Sequence, residues 1–182
     1  IPSKALLESS YKYEVALGEL SQHGVNAKGV SLDLAVMMKR KSDVVQTLSK
    51  GIEALLAKNT VVKIKGTGRL AGVGRVHVAG SDGGITELSS QRIILAVGSK
   101  SVVLPGIECD GSRVGTSTDA LSFPEVPKHL VVIGGGYIGL ELGSVWRRLG
   151  SRVTVLEYSD RILTGIDNEI ASDALSLFKK QG

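Results

Sequence analysis

Four apolar residues run straight into three spaced glycines at Leu130-Val131-Val132-Ile133-Gly134-Gly135-Gly136-Tyr137-Ile138-Gly139-Leu140-Glu141, and no other stretch restricts the fold so tightly. The apolar run reads as a buried strand, and the amphipathic residues that continue to Leu149 read as a helix. Glycines spaced Gly-x-Gly-x-x-Gly make the junction a phosphate cradle. Gly134 permits the tight turn, Gly136 lets the backbone approach a pyrophosphate, and Gly139 lets the helix pack close to the strand. The helix N-terminus adds unpaired N–H groups and a partial positive charge. Alone the motif is a weak signal, but its surroundings complete it. Gly150 ends the helix, Arg152-Val153-Thr154-Val155-Leu156 reads as a second strand, and Glu157 closes that strand. Glu157 stands 21 residues after Gly136, where the ribose-binding acid of a dinucleotide fold belongs. A dinucleotide is the expected ligand.

Upstream, Pro2 and Ser3 suit a helix start, and helical periodicity runs from Ala5 to about Leu20 before His23-Gly24 breaks it. Asp33 is placed to cap a longer helix whose apolar residues, among them Leu34, Met37, Met38, Leu48, Ile52 and Leu55, form one core-facing stripe. Val61–Lys65 reads as a strand running into Gly66-Thr67-Gly68. Arg75–Val78 alternates as a half-buried strand should, and Asp82-Gly83-Gly84 turns it into Ile85–Leu88, which makes a small antiparallel meander. Arg92–Val97 is expected as a further buried strand, closed by Gly98-Ser99 and a loop to Leu104-Pro105-Gly106. The segment Gly111–Lys128, with Pro124 and Pro127, reads as a connector.

Composition removes several classes of function. The net charge of +4 is spread thinly, and Lys39-Arg40-Lys41 falls on the second helix, where a solvated face is the expectation. With aromatic content of 4% there is little to stack on bases, so no nucleic-acid partner is expected. No apolar run approaches the roughly 20 residues that cross a bilayer, so no membrane partner is expected. Cys109 is the only cysteine, which excludes an internal disulfide and a multi-cysteine metal site. No metal site is assigned, and His77 is expected to be solvated.

Three separated stretches resemble the flavin-dependent pyridine nucleotide–disulfide oxidoreductases. They are Ile1-Pro2-Ser3-Lys4-Ala5-Leu6, then Ala96-Val97-Gly98-Ser99 with Leu104-Pro105-Gly106, then Gly134 to Glu141 followed by Leu142-Gly143-Ser144-Val145-Trp146. The resemblance covers essentially the whole chain. It implies an α/β fold, in which part of an FAD-binding domain at residues 1–118, helices plus the meander, joins the first half of a Rossmann-type NAD-binding domain at residues 119–182. It also implies that Lys4 stands beside the flavin ring and pairs with Glu141, that Gly68 meets the adenine side of FAD through its backbone, and that Val97, Gly98 and Ser99 line FAD. Gly134, Gly135, Gly136, Tyr137, Ile138, Gly139, Leu140, Glu141 and Glu157 are the implied NAD contacts. Two positions depart from the family pattern: Val97 replaces the usual threonine, and Ser101 stands where proline is common.

The resemblance implies further parts that these residues do not hold: an FAD phosphate cradle, a Cys-x-x-x-x-Cys pair ending just before Ile1, and a dimer domain carrying a His–Glu pair. The chain is therefore expected to be an internal piece of a longer protein, with no catalytic residue of its own. The implied parent is a homodimer in the bacterial cytoplasm or mitochondrial matrix, oxidising dihydrolipoamide on a lipoyl-bearing protein of a 2-oxoacid dehydrogenase or glycine cleavage complex with FAD and NAD. Other branches remain open at this level: glutathione reductase, mercuric reductase, a soluble transhydrogenase, or a nucleotide-binding module without chemistry.

Overall fold

The computed structural model describes residues 1–182 and divides into two compact units, Ile1–Thr47 with Ser101–Gly182, and Leu48–Lys100. The elements of the first unit are gathered around one helix. Strand β4 (His129–Ile133) and strand β5 (Arg152–Leu156) lie parallel, in register from His129 opposite Arg152 to Ile133 opposite Leu156. Helix α4 (Tyr137–Arg148) makes the crossover between them and buries Leu140, Leu142, Val145 and Trp146. Helix α1 (Pro2–Leu17) packs on α4, so that Leu6, Val145, Trp146, Leu149 and Met37 form the core cluster. A 3-10 turn at Glu19–His23 follows α1 and ends at Gly24 in the left-handed region (φ 75), the expected break.

The connector is held onto this core by polar bonds as well as by the packing of Leu121, Phe123 and Val126. Trp146 Nε1 donates to the Ala120 carbonyl (3.0 Å), at the end of the short helix α3 (Ser117–Ala120), and the Trp146 ring lies 5.2 Å from that of Phe123. Ser151 donates to the Pro127 carbonyl (2.6 Å). From helix α2 (Leu34–Lys58), Lys41 donates to the Leu121 carbonyl (2.7 Å) and to the Ser122 hydroxyl (2.8 Å). That corrects, at Lys41, the solvated face expected for Lys39-Arg40-Lys41, while Lys39 and Arg40 are exposed as expected. Lys41 is buried, its ammonium pushed below the ordinary lysine value by desolvation, and Arg40 donates to the Ala5 carbonyl and the Ser9 hydroxyl, while Lys39 alone pairs locally, with Asp43. Helix α2 starts as expected, with Asp33 Oδ1 accepting from the Val36 N–H (2.9 Å). Its stripe is core-facing only at the start, where Met37 is buried. Beyond residue 47, Leu48, Ile52 and Leu55 are exposed, because an apolar stripe marks what a helix can bury and not whether a neighbour is present.

The second unit contains the expected meander with a different first strand. Strands β1 (Thr67–Gly72), β2 (Arg75–Ala79) and β3 (Ile85–Ser89) pair antiparallel in the order β1-β2-β3. Val61–Lys65 and Arg92–Val97 are not strands, and Ile94 and Val97 are 90% and 89% exposed. β-branched sequence favours an extended chain, but a strand exists only through its ladder, and no strand of this chain pairs with either segment. His77 has a partner after all: Glu87 stands opposite it in the ladder, with Nε2 and Oε2 3.3 Å apart.

Candidate nucleotide-binding site

The cradle is built at the carboxyl ends of β4 and β5, where open α/β sheets bind ligands. The Gly134 N–H continues the ladder by donating to the Leu156 carbonyl (2.7 Å), and Gly134 then turns with φ 109, a conformation that favours glycine. At Gly139 a side chain is excluded. A Cβ there would stand 2.5 Å from the Gly134 carbonyl oxygen and 2.8 Å from Val132 Cγ1, so glycine is what brings α4 down onto β4. Gly136 differs in kind, because a Cβ there would meet nothing within 4 Å. Space lies open above the N-cap of α4, and no side chain caps the N–H groups of Tyr137, Ile138 and Gly139. Uncapped donors facing open space suit an anion, which the helix dipole further favours.

Glu157 is fixed over this loop by two main-chain donors. Its Oε1 accepts from the Ser159 N–H (2.8 Å) and its Oε2 from the Gly135 N–H (2.6 Å). These two bonds, Ser159 first, hold its carboxyl below the ordinary glutamate value, so it is an anion at neutral pH with lone pairs left to accept hydroxyl donors. The residues present therefore fit a dinucleotide: uncapped amides for the pyrophosphate and a fixed carboxylate for a ribose.

The loop after β5 completes the arrangement, and in the sequence only the spacing of Arg161 from Glu157 drew attention to it. The Leu163 N–H donates to the Gly135 carbonyl (2.9 Å), and Leu163 itself takes φ 54. A bulky residue in the left-handed region costs on the order of 1 kcal/mol, which surrounding bonds must hold in place. Ile162 is buried close by, its Cγ2 2.8 Å from where a Gly135 Cβ would stand. Arg161, which follows Glu157 closely enough to suggest a 2′-phosphate contact, is engaged elsewhere: it donates to the carbonyls of Thr164 (3.0 Å) and Ile166 (3.3 Å) and to the Asn168 side chain.

The sequence profile described as pyridine nucleotide-disulphide oxidoreductase matches residues 1–182. The chain belongs to that family. It is 55% identical over its whole length to "Dihydrolipoyl dehydrogenase 3" of Pseudomonas putida, of which it covers 39%, and 46% identical to the mitochondrial dihydrolipoyl dehydrogenase of Dictyostelium discoideum, of which it covers 37%. Among solved structures it resembles LpdA from Mycobacterium tuberculosis, with a TM-score of 0.86 at 26% identity over all of this chain and 40% of that one. The chain thus spans well under half the length of these relatives. The mixed fold, a small antiparallel sheet and a parallel pair with its crossover helix, is that of flavin-dependent disulfide oxidoreductases.

The expected site residues divide between the two units. In the first unit, Lys4 Nζ meets Glu141 Oε1, joining α1 to the first turns of α4, and Gly134 to Gly139 and Glu157 lie at the cradle, whereas Leu140 is buried in the core and gives its N–H to the Gly136 carbonyl. Lys4 is largely exposed, so the pair adds little to stability. In the second unit, Gly68 lies on β1, an edge strand, and Val97-Gly98-Ser99 lies in an open segment in which Gly98 takes φ 74 and a Cβ on it would meet nothing within 4 Å.

Proposed function

We propose that the protein carrying this chain is a flavoenzyme that oxidises protein-bound dihydrolipoamide with FAD and NAD. The observation that carries the NAD assignment is the Glu157 carboxylate, bonded to the Gly135 amide beside the uncapped start of α4. The same carboxylate would repel the extra phosphate of NADP. The dithiol substrate is supported by the relatives, the Pseudomonas putida and Dictyostelium discoideum dihydrolipoyl dehydrogenases. On this reading the partner is the lipoyl-bearing protein of a 2-oxoacid dehydrogenase or glycine cleavage complex, the protein is a homodimer, and it works in a bacterial cytoplasm or a mitochondrial matrix. No helix is long and apolar enough to cross a membrane.

Residues 1–118 serve FAD and residues 119–182 serve NAD. Lys4, Gly68, Val97, Gly98 and Ser99 contact FAD, Val97 through its backbone since it has no hydroxyl to offer. Gly134 to Gly139, Glu141 and Glu157 contact NAD, with Glu141 and Lys4 together at the flavin–nicotinamide junction. Bound flavin supplies the two-electron relay between a dithiol and nicotinamide. Cys109 is the only cysteine here, so the dithiol partner in that relay comes from residues outside these 182. Steady-state kinetics of the complete protein with dihydrolipoamide and either NAD or NADP test the reading. Turnover confined to NAD supports it; turnover of glutathione disulfide with NADPH, and none of dihydrolipoamide with NAD, would assign the protein to another branch.

A further inference from the structure

We propose that Arg161 is a positioning residue for the dinucleotide, latched so that the loop after β5 holds Glu157 over the cradle. The proposal rests on the NAD reading above and adds Arg161, Leu163 and Asn168, to which that reading gives no part. The Arg161 guanidinium donates to the Thr164 carbonyl, the Ile166 carbonyl and the Asn168 side chain, which closes residues 161–168 into a braced turn. Inside that turn the Ile166 N–H donates to the Leu163 carbonyl (2.8 Å), and Leu163, at φ 54, points its own N–H at the Gly135 carbonyl. Gly135 in turn donates to Glu157 Oε2, and Glu157 Oε1 accepts from Ser159, two residues before Arg161. The bonds form a closed ring, from Glu157 through Gly135, Leu163 and the turn back to Ser159.

A ring of this kind fixes its weakest member through the others. Leu163 occupies a conformation that L side chains rarely adopt, and without the brace it returns to an ordinary one, withdrawing the N–H that Gly135 receives. Ile162, buried against Gly135, moves with it. Glu157 then keeps its charge and loses its fixed direction. The three acceptors also answer why a cation four residues from the ribose acid does not invite a 2′-phosphate: a planar guanidinium held by three hydrogen bonds to the turn would have to break them to turn toward a ligand.

The test uses the complete protein, with Arg161→Met and, as a milder variant, Asn168→Ala, which removes one acceptor from an exposed helix start and leaves the charge. ADP-ribose binding measured by calorimetry gives a readout independent of turnover, and KM for NAD is compared with kcat. Arg161→Met is expected to raise the ADP-ribose Kd and the KM for NAD about tenfold while kcat stays within about twofold, because pre-organisation is lost and the reacting groups are untouched. Asn168→Ala is expected to move both constants the same way by about threefold. Unchanged Kd and KM in both variants overturn the proposal. Loss of NADP use alone, with NAD untouched, overturns it too and makes Arg161 a phosphate ligand. If the unmodified protein binds neither ADP-ribose nor NAD, the NAD reading itself falls and takes the latch with it.

Discussion

Gly135 donates its N–H to Glu157 and accepts from Leu163 at its carbonyl, so it ties the cradle to the following loop whatever it also does for a phosphate. The spacing of the glycines and the distance to Glu157 were legible in the sequence because turns and charges are local chemistry. The loop was not, since nothing in the letters of Arg161-Ile162-Leu163 marks a leucine for positive φ or an arginine for carbonyls downstream. Glu157 carries the clearest residue-scale prediction. In the complete protein, Glu157→Arg removes the ribose acceptor and reverses the local charge, and the ratio of kcat/KM for NAD over NADP should fall by tenfold or more, each tenfold being about 1.4 kcal/mol. An unaltered ratio removes Glu157 from the site. A second prediction concerns Asp110, whose carboxylate accepts the N–H groups of Val114, Ser112 and Arg113 and is held down at about 2, against an ordinary 3.8. Its folded value is depressed, so the order it lends to the 110–114 turn is complete above pH 3.8 and is lost as pH falls through about 2. Amide shifts of Ser112, Arg113 and Val114 followed by NMR should titrate together near that lower value, and a midpoint near the ordinary 3.8 would show that the turn is not closed.

Helices and strands were legible to different degrees for a physical reason. Helices α1, α2 and α4 satisfy their own backbone, so caps and periodicity suffice: Pro2, Asp33 and the glycine motif each mark a start the structure reproduces. Strands satisfy theirs through a partner. The meander was legible as hairpins, with Gly83 at φ 81 in the turn between β2 and β3, whereas Val61–Lys65 and Arg92–Val97 have the composition of strands and no ladder to join. The packing of α1 on α4 was not legible at all, because periodicity names a face and not its partner. It is also the contact with the most to lose. Leu6, Val145 and Trp146 are all fully buried there, and Leu6→Ala should cost about 2–5 kcal/mol by the transfer and cavity terms together. Urea unfolding of the complete protein measures it, and Trp146, the only tryptophan in these residues, should redden its emission as the seam loosens. A loss under about 1 kcal/mol with unshifted emission would mean that the seam repacks without a cavity.

At the scale of the whole molecule, the chain is organised by contacts between distant residues. The mixed fold and the family were both accessible from three short stretches, yet the unit that holds the cradle is assembled from its two ends: Ile1–Thr47 and Ser101–Gly182. Lys4 meets Glu141 across a separation of 137 residues. On the ribosome this separation becomes a delay. At about 5–20 residues per second, α1 is made on the order of ten seconds before the helix that covers it, and Leu6 spends that interval without Val145 and Trp146. Nascent chains stalled before Val145 should therefore leave α1 open to a protease, and chains stalled far enough past Leu149 for α4 to clear the ribosome should protect it. Protection at the earlier stall point would mean that α1 finds a temporary cover first. The covering helix that ends this exposure is the same one whose first turn opens the cradle, so the site and the shelter of α1 are completed by one stretch of synthesis.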